Sequence, residues 1–250
     1  MHIPKIFRSI YKRINNLFSH PFQVYKREGA YFLLNKNTMM DEGIIKFKKY
    51  EDNLISHAKK IVEKNNIQYF FDVGANLGFY SVLIGKLPEI KKVYSFEPLP
   101  VLFQQISSNI LINNLTPKWK GYNCALSDKK DRMEFYYHPF FLGTSSLKKE
   151  WAGKRATEST YVDVNVFDEI INYNNKRCYV KIDVEGNEIE VIKGMLEFLS
   201  GNNVYIQIES SQTNIDIIRN FFSEKGYSMV GHPAGSDYYF SNFQGVKFIP

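Results

Sequence analysis

The sequence predicts an α/β fold: a doubly wound, mostly parallel seven-stranded sheet, with helices on both faces and a C-terminal antiparallel hairpin. Three observations carry that expectation. From residue 51 onward, short apolar runs alternate with stretches of helical period, the pattern of strands feeding crossover helices. One such run, Tyr69–Val73, meets a turn with Gly74 and Gly78 four positions apart, as a buried parallel strand entering a helix does. The last stretch, Tyr227–Ile249, reads as a β-hairpin, which places an antiparallel strand at or near one edge.

The elements follow in order. Glu51–Lys64 is a helix, because Leu54, Ile55, Ala58, Ile61 and Val62 share one face. It delivers the chain to the first strand, Tyr69–Val73. A helix runs from Phe79 to about Lys86, and Pro88 stops it. The second strand is Lys92–Phe96, and the next helix, Leu99–Asn114, ends on two asparagines. The third strand lies near Lys120–Ala125. A polar excursion follows, with strands at Met133–Tyr137 and, by alternation, Tyr161–Val166, on either side of a loop from His138 to Ser159. Phe167–Tyr173 is helical. The fourth strand is Cys178–Val184, and Asn187 caps a helix reaching Leu199. The fifth strand is Val204–Glu209, followed by a helix from Asn214 to Lys225.

The 250 residues divide into a basic, partly helical extension, 1–50, and one large domain, 51–250. The net charge of +6 is concentrated in the extension, where ten Lys or Arg face three Asp or Glu. The remainder is near neutral, so the domain is not a nucleic-acid-binding surface by charge. Within the extension, Ile3, Ile6, Phe7, Ile10, Ile14, Leu17 and Phe18 recur at helical spacing with Lys5, Arg8, Lys12 and Arg13 between them. Such a helix can lie on an anionic membrane surface, pair with a second copy in a homodimer, or dock on its own domain. No apolar run approaches a membrane span and no signal-peptide core is present, so a cytoplasmic protein is expected, with peripheral contact at the inner face of the membrane through this helix. Cys124 and Cys178 lie on apolar stretches and read as buried thiols.

Ligands of doubly wound sheets bind beyond the carboxyl ends of the strands. The first strand ends in Asp72-Val73, followed by Gly74-Ala75-Asn76-Leu77-Gly78. A carboxylate here repels a pyrophosphate and attracts an ammonium. The dinucleotide fingerprint G-x-G-x-x-G needs a glycine where Asn76 stands. The segment therefore favours S-adenosylmethionine (SAM), which carries an ammonium group, over NAD. The second strand ends in Phe96-Glu97-Pro98, where Glu97 can accept both ribose hydroxyls of an adenine nucleoside. Ala125, Ser127 and Asp128, after the third strand, fall where the adenine belongs.

The fourth strand ends near Asp183 and Glu185, the fifth at Glu209. If these strands are neighbours, Asp183 and Glu209 face one cleft. Converging carboxylates raise one another's pKa, as a general base requires, or can hold Mg²⁺ or Mn²⁺ through oxygen ligands. Asp183 borders the cofactor as well as the acceptor. His138 and His232 each precede a proline in loops that can overhang the cleft, and Ser145 lies in a Ser/Thr-rich loop able to bond a polyol. His138 joins Asp183 and Glu209 as a catalytic candidate; Ser145, Glu185 and His232 are acceptor-binding candidates.

These residues resemble the FkbM family of SAM-dependent methyltransferases. The similarity rests on FDVGANLGFYS (71–81), FEP (96–98), ALSD (125–128), SSL (145–147), VFDEI (166–170) and KIDVEGNEIEVIKG (181–194), in the family's order, with VKFIP as a closing strand. It implies the Rossmann-like class I methyltransferase fold and O-methyl transfer to a hydroxyl of a sugar, nucleotide-linked sugar or surface glycan such as capsule or lipopolysaccharide, with S-adenosylhomocysteine as product. By motif, Asp72, Gly74, Asn76, Gly78 and Glu97 hold SAM, Ser127 or Asp128 meets the adenine, and Asp183 and Glu185 line the acceptor site. Other readings are a polyketide-like acceptor, an NAD-dependent oxidoreductase, a non-catalytic binding protein, and a nucleic-acid methylase, whose NPPY-type tetrapeptide is absent.

Overall fold

The structure is a computed structural model describing residues 20–47, 50–153, 156–232 and 235–246. The amphipathic segment Ile3–Phe18 and the end of VKFIP lie outside the described residues.

The chain opens with a hairpin, β1 (Phe22–Arg27) and β2 (Ala30–Asn35), then helix α1 (Met39–Lys46). The core of the domain follows as α2 (Asp52–Asn65), β3 (Tyr69–Val73), α3 (Phe79–Gly85), β4 (Lys92–Phe96), α4 (Pro100–Ile112) and β5 (Trp119–Tyr122). Then come β6 (Ala125–Ser127), β7 (Asp131–Tyr137), the short helix α5 (Lys149–Ala152), β8 (Glu158–Val166) and α6 (Phe167–Ile170). The last part is β9 (Arg177–Ile182), α7 (Glu188–Lys193), α8 (Leu196–Gly201), β10 (Asn203–Glu209), α9 (Gln212–Glu224), β11 (Ser228–Gly231) and β12 (Asp237–Ser241).

Seven strands form the main sheet in the order β11-β12-β10-β9-β3-β4-β5. Neighbours from β10 to β5 are parallel, and β12 runs antiparallel between β10 and β11. This is the expected fold. Alternation along each strand splits the core in two. Phe70, Tyr179, Tyr205 and Tyr239 face α2, α3 and α4, while Phe71, Val180, Ile206 and Phe240 face α7, α8 and α9. Cys124 and Cys178 are buried free thiols, as expected. Among the described residues, no helix is long and apolar enough to cross a membrane.

Four expectations change. Residues 22–35 are a hairpin, not irregular chain. Ala30, Phe32 and Leu34 are fully buried in the same cluster as α2 and α3, and Phe32 packs on the Phe79 ring at 5.1 Å. The third strand stops at Tyr122, because Asn123 turns the chain by donating to the carbonyls of Glu97 and Pro98. Ala125–Ser127 then pairs with β8, which with β7 forms a separate three-stranded sheet. The helix expected from Asn187 to Leu199 is two helices. Asp168 accepts the amides of Glu197 and Phe198 and so caps a new start. Asn187 makes no cap bond; its amide donates to Leu126. Finally, β9 ends at Ile182, so Asp183 and Glu185 stand on a loop rather than alternating along a strand.

Candidate active site

Two adjoining clefts open at the carboxyl ends of β3, β4 and β9. The first, of about 580 Å³, is walled mainly by apolar groups, among them Val73, Phe96, Leu102, Leu126 and Leu147. Its polar lining is Asn76, Glu97, Ser145, Asp183, Glu185 and Asn187, and Glu97 is fixed most closely. The Gly74–Asn76 turn and the Glu97 side chain hold each other. The amides of Gly74 and Ala75 donate to the Phe96 carbonyl, the Asn76 amide to Glu97 Oε2 at 2.9 Å, and the Leu99 amide to Glu97 Oε1 at 2.9 Å. Each carboxylate oxygen keeps a lone pair free for a further donor. Burial pushes the Glu97 pKa up to about 8, against those two amides.

Gly74 has φ +80°, and a Cβ there would lie 1.8 Å from the Asp183 carbonyl oxygen. Only glycine lets the first turn and the Asp183 loop approach this closely. The contact brings Asp183 to the edge of both clefts.

The second cleft, of about 1170 Å³, is polar at its base. Strand register explains why. Ser95 pairs with Asp72, Asp72 with Lys181, Lys181 with Gln207, and Gln207 with Tyr239, so these side chains form one row across the same face. Asp72 Oδ2 accepts both the amide and hydroxyl of Ser81, at 3.0 and 2.6 Å, and Ser81 is tied through Ser95 to the Trp119 indole. Lys181 is buried and donates to Asp183 Oδ2 at 2.7 Å, with its ammonium 4.9 Å from the Tyr80 ring centroid. Burial alone would lower the Lys181 pKa, but the charges of Asp183, Asp72 and Glu51 outweigh it and keep the ammonium protonated.

Carboxylates gather around that single ammonium. The Asp183 charge, followed by burial, lifts Glu209 to about 7. Burial, then Asp183, Glu209 and Glu188, lifts Glu185 to about 8. Asp237 sits opposite Glu209 in the β10–β12 ladder and is also raised, chiefly by burial. Glu185 takes φ +50° on the loop after β9, and its carbonyl accepts the Ser146 hydroxyl at 2.6 Å. Among the described residues, no group of three or more His, Cys, Asp or Glu is arranged to hold a metal ion.

The residues singled out from sequence are placed as follows. Gly74, Asn76, Glu97, Pro98, Ala125, Ser145, Asp183 and Glu185 line the first cleft. Asp72, Ala75 and Glu209 line the second. Gly78, at φ +83°, precedes α3 and packs against Ile106. Ser127 and Asp128 line neither cleft; Asp128 is exposed, and Cys124, Ala125 and Leu126 wall the first cleft instead. His138 accepts the Phe140 amide and packs on Phe141 outside both clefts. His232 is exposed, stands edge-on to Tyr238 and acts electrostatically on Asp237. Sequence reading missed Lys181, Glu51 and Tyr80. Lys181 was visible inside the KIDVEG stretch, whereas nothing marked Glu51, whose left-handed φ of +52° before α2 brings it to the second cleft.

Comparison with known proteins agrees with this architecture. The family described as the methyltransferase FkbM domain matches residues 72–229. "Methyltransferase sdnD" of Sordaria araneosa is 27% identical over 176 residues, covering 59% of this chain and 68% of that protein. "Methyltransferase 1" of Beauveria bassiana is 21% identical over 181 residues, covering 64% of this chain and 72% of that protein. The crystal structure of "Methyltransferase FkbM" from Methylobacillus flagellatus has the same fold, with a TM-score of 0.51 at 16% identity; the match covers 70% of this chain and 44% of that one.

Proposed function

The chain belongs to the FkbM methyltransferase family, and from that premise we propose that it is a SAM-dependent O-methyltransferase acting on a sugar hydroxyl. The observation that carries this reading is the contrast between the two clefts. The first holds Glu97, pre-aimed by two backbone amides, among mainly apolar walls; the second gathers Glu51, Asp72, Asp183, Glu185 and Glu209 around the Lys181 ammonium.

The donor groups fit SAM. The apolar walls suit an adenine, the free lone pairs of Glu97 suit a ribose diol, and Asp72 and Asp183 supply negative charge for an ammonium. When bound, SAM supplies an electrophilic methyl group, whose sulfur–carbon bond is exchanged for an oxygen–carbon bond at the acceptor, leaving S-adenosylhomocysteine. A hydroxyl oxygen is a weak nucleophile until its proton is removed. Glu209, held near neutrality by Asp183, is matched to that task and receives the proton on a carboxylate oxygen. Lys181 fixes Asp183 so that its charge stays beside Glu209 and Glu185. Glu185 borders both clefts and accepts a hydrogen bond from the acceptor. Positioning then supplies most of the rate.

A methyl-transfer screen tests this reading. Labelled SAM is offered with neutral sugars, amino sugars, nucleotide-linked sugars and polyketide-like alcohols, each with EDTA and with added Mg²⁺ or Mn²⁺. Label appearing in a sugar methyl ether is the expected result. Label only in a non-sugar alcohol, or in nothing while SAM is consumed, contradicts the sugar assignment.

A further inference from the structure

We propose that a third cleft, walled by Trp151, Ser210 and the carboxylates of Glu185, Glu188 and Glu209, is a subsite for a neutral or amino-sugar ring adjoining the hydroxyl that is methylated. The inference rests on the methyltransferase reading and specifies its substrate. The cleft spans about 400 Å³ with its open mouth included and shares Asp183, Glu185 and Glu209 with the second cleft, so one ligand can occupy both. SAM and the reacting hydroxyl account for the first two clefts; the part of the third walled by Trp151, Glu188 and Ser210 has no role in that chemistry.

Its walls have the chemistry of a polyol site. Trp151 is 36% exposed, and its ring packs over Gly186, where there is no side chain to displace it. A Cβ on Gly186 would lie 2.4 Å from the indole. An open indole offers an apolar wall to the C–H face of a pyranose ring. Ser210 also lines the cleft; it is only 5% exposed, and its hydroxyl has no hydrogen-bond partner among the described residues. The neighbouring serines are engaged: Ser211 accepts the Asn214 amide and Ser236 donates to Glu209. A buried, unpaired hydroxyl is costly unless a ligand completes it.

Charge narrows the ligand class. The lining holds four carboxylic acids and no cationic side chain. Carboxyl groups bond sugar hydroxyls and amines, whereas a phosphate, diphosphate or uronate ring would find no cationic side chain in the lining to pair with. Of the acceptors implied by the family resemblance, neutral and amino-sugar glycans therefore fit here and nucleotide-linked sugars do not.

The test uses the full chain on an immobilised glycan panel containing neutral, amino, uronic-acid, phosphorylated and nucleotide-linked members. Wild type, Trp151→Ala, Trp151→Phe and Ser210→Ala are compared, with SAM affinity of each measured by calorimetry. Wild type is expected to bind neutral or amino glycans. Trp151→Ala should lose roughly tenfold or more, the loss expected of a central aromatic contact. Trp151→Phe should keep most binding, Ser210→Ala should fall several-fold, and SAM affinity should hold in all four. Preference for anionic glycans, binding to none, or variants that bind like wild type would overturn the subsite. Failure of wild type to bind SAM is a separate result and would overturn the methyltransferase reading instead.

Discussion

At residue 74 the backbone of one loop meets that of another with no room for a methyl group. Gly74→Ala forces both an unfavourable left-handed φ and a clash with the Asp183 carbonyl, so a loss of about 2–4 kcal/mol is expected in denaturant unfolding. An unchanged midpoint would mean that the loops part easily. Asp183 is tested differently. Asp183→Asn should abolish most turnover while SAM still binds, more weakly by the loss of one of the two charges facing its ammonium. Its charge is also the largest cause of the raised Glu209 pKa. With Glu209 as base, kcat/KM in the wild type should fall as pH drops below about 7, and in Asp183→Asn the residual activity should retain that fall only at lower pH. An unmoved acid limb would assign the base to another group. Asp72, Gly74, Glu97 and Asp183 were legible because strand ends are marked by composition. Lys181 as their common partner was not, since it depends on the pairing of Asp72 with Lys181 across β3 and β9, a long-range register that no local pattern encodes.

The least legible element was the β1–β2 hairpin, and α4 explains how it is held. Gln105, Asn109 and Asn113 recur every four residues along one helix face and bond the backbone of β2. Gln105 donates to the Leu33 carbonyl, Asn109 accepts the Leu33 amide at 2.6 Å, and Asn113 both accepts the Tyr31 amide and donates to its carbonyl. A sheet edge that would otherwise be open is thereby closed by amide side chains. An amide ladder of this kind resembles an ordinary polar helix face in sequence. Asn109 also donates to the Leu77 carbonyl, so Asn109→Ala should cost about 1–3 kcal/mol by leaving buried backbone groups unpaired, measured by chemical denaturation. Phe32→Ala should cost about 3–5 kcal/mol by emptying a core position. The helices and parallel strands were legible to within a few residues because their apolar period is strong. The split at Asn123 was not, because a side-chain bond between loops decides it.

Across the whole molecule, the site is a concentration of acids that folding has made reluctant to ionise. Glu97 and Glu185 are raised to about 8 and Glu209 to about 7, all from an ordinary value near 4.5. The native state therefore binds more protons than the unfolded chain between those values. Stability must then decrease as pH rises from about 5 to 8, by as much as about 1.4 kcal/mol per pH unit for each fully affected group. Thermal unfolding of the ligand-free protein should show Tm falling by several degrees over this interval. A Tm that rises steadily from pH 5 to 8 would mean that the acids are ionised in the fold. On the proposed reading the first cleft takes the nucleoside and the second the proton-losing hydroxyl, and Glu97 is the residue that reading depends on most. Calorimetric titration of SAM and of NAD into wild type and Glu97→Ala tests it most directly. SAM should bind, NAD should not, and Glu97→Ala should weaken SAM by roughly tenfold or more, the loss of a buried two-point hydrogen-bond partner. Tighter binding of NAD than SAM, or equal SAM affinity in the two proteins, would contradict it.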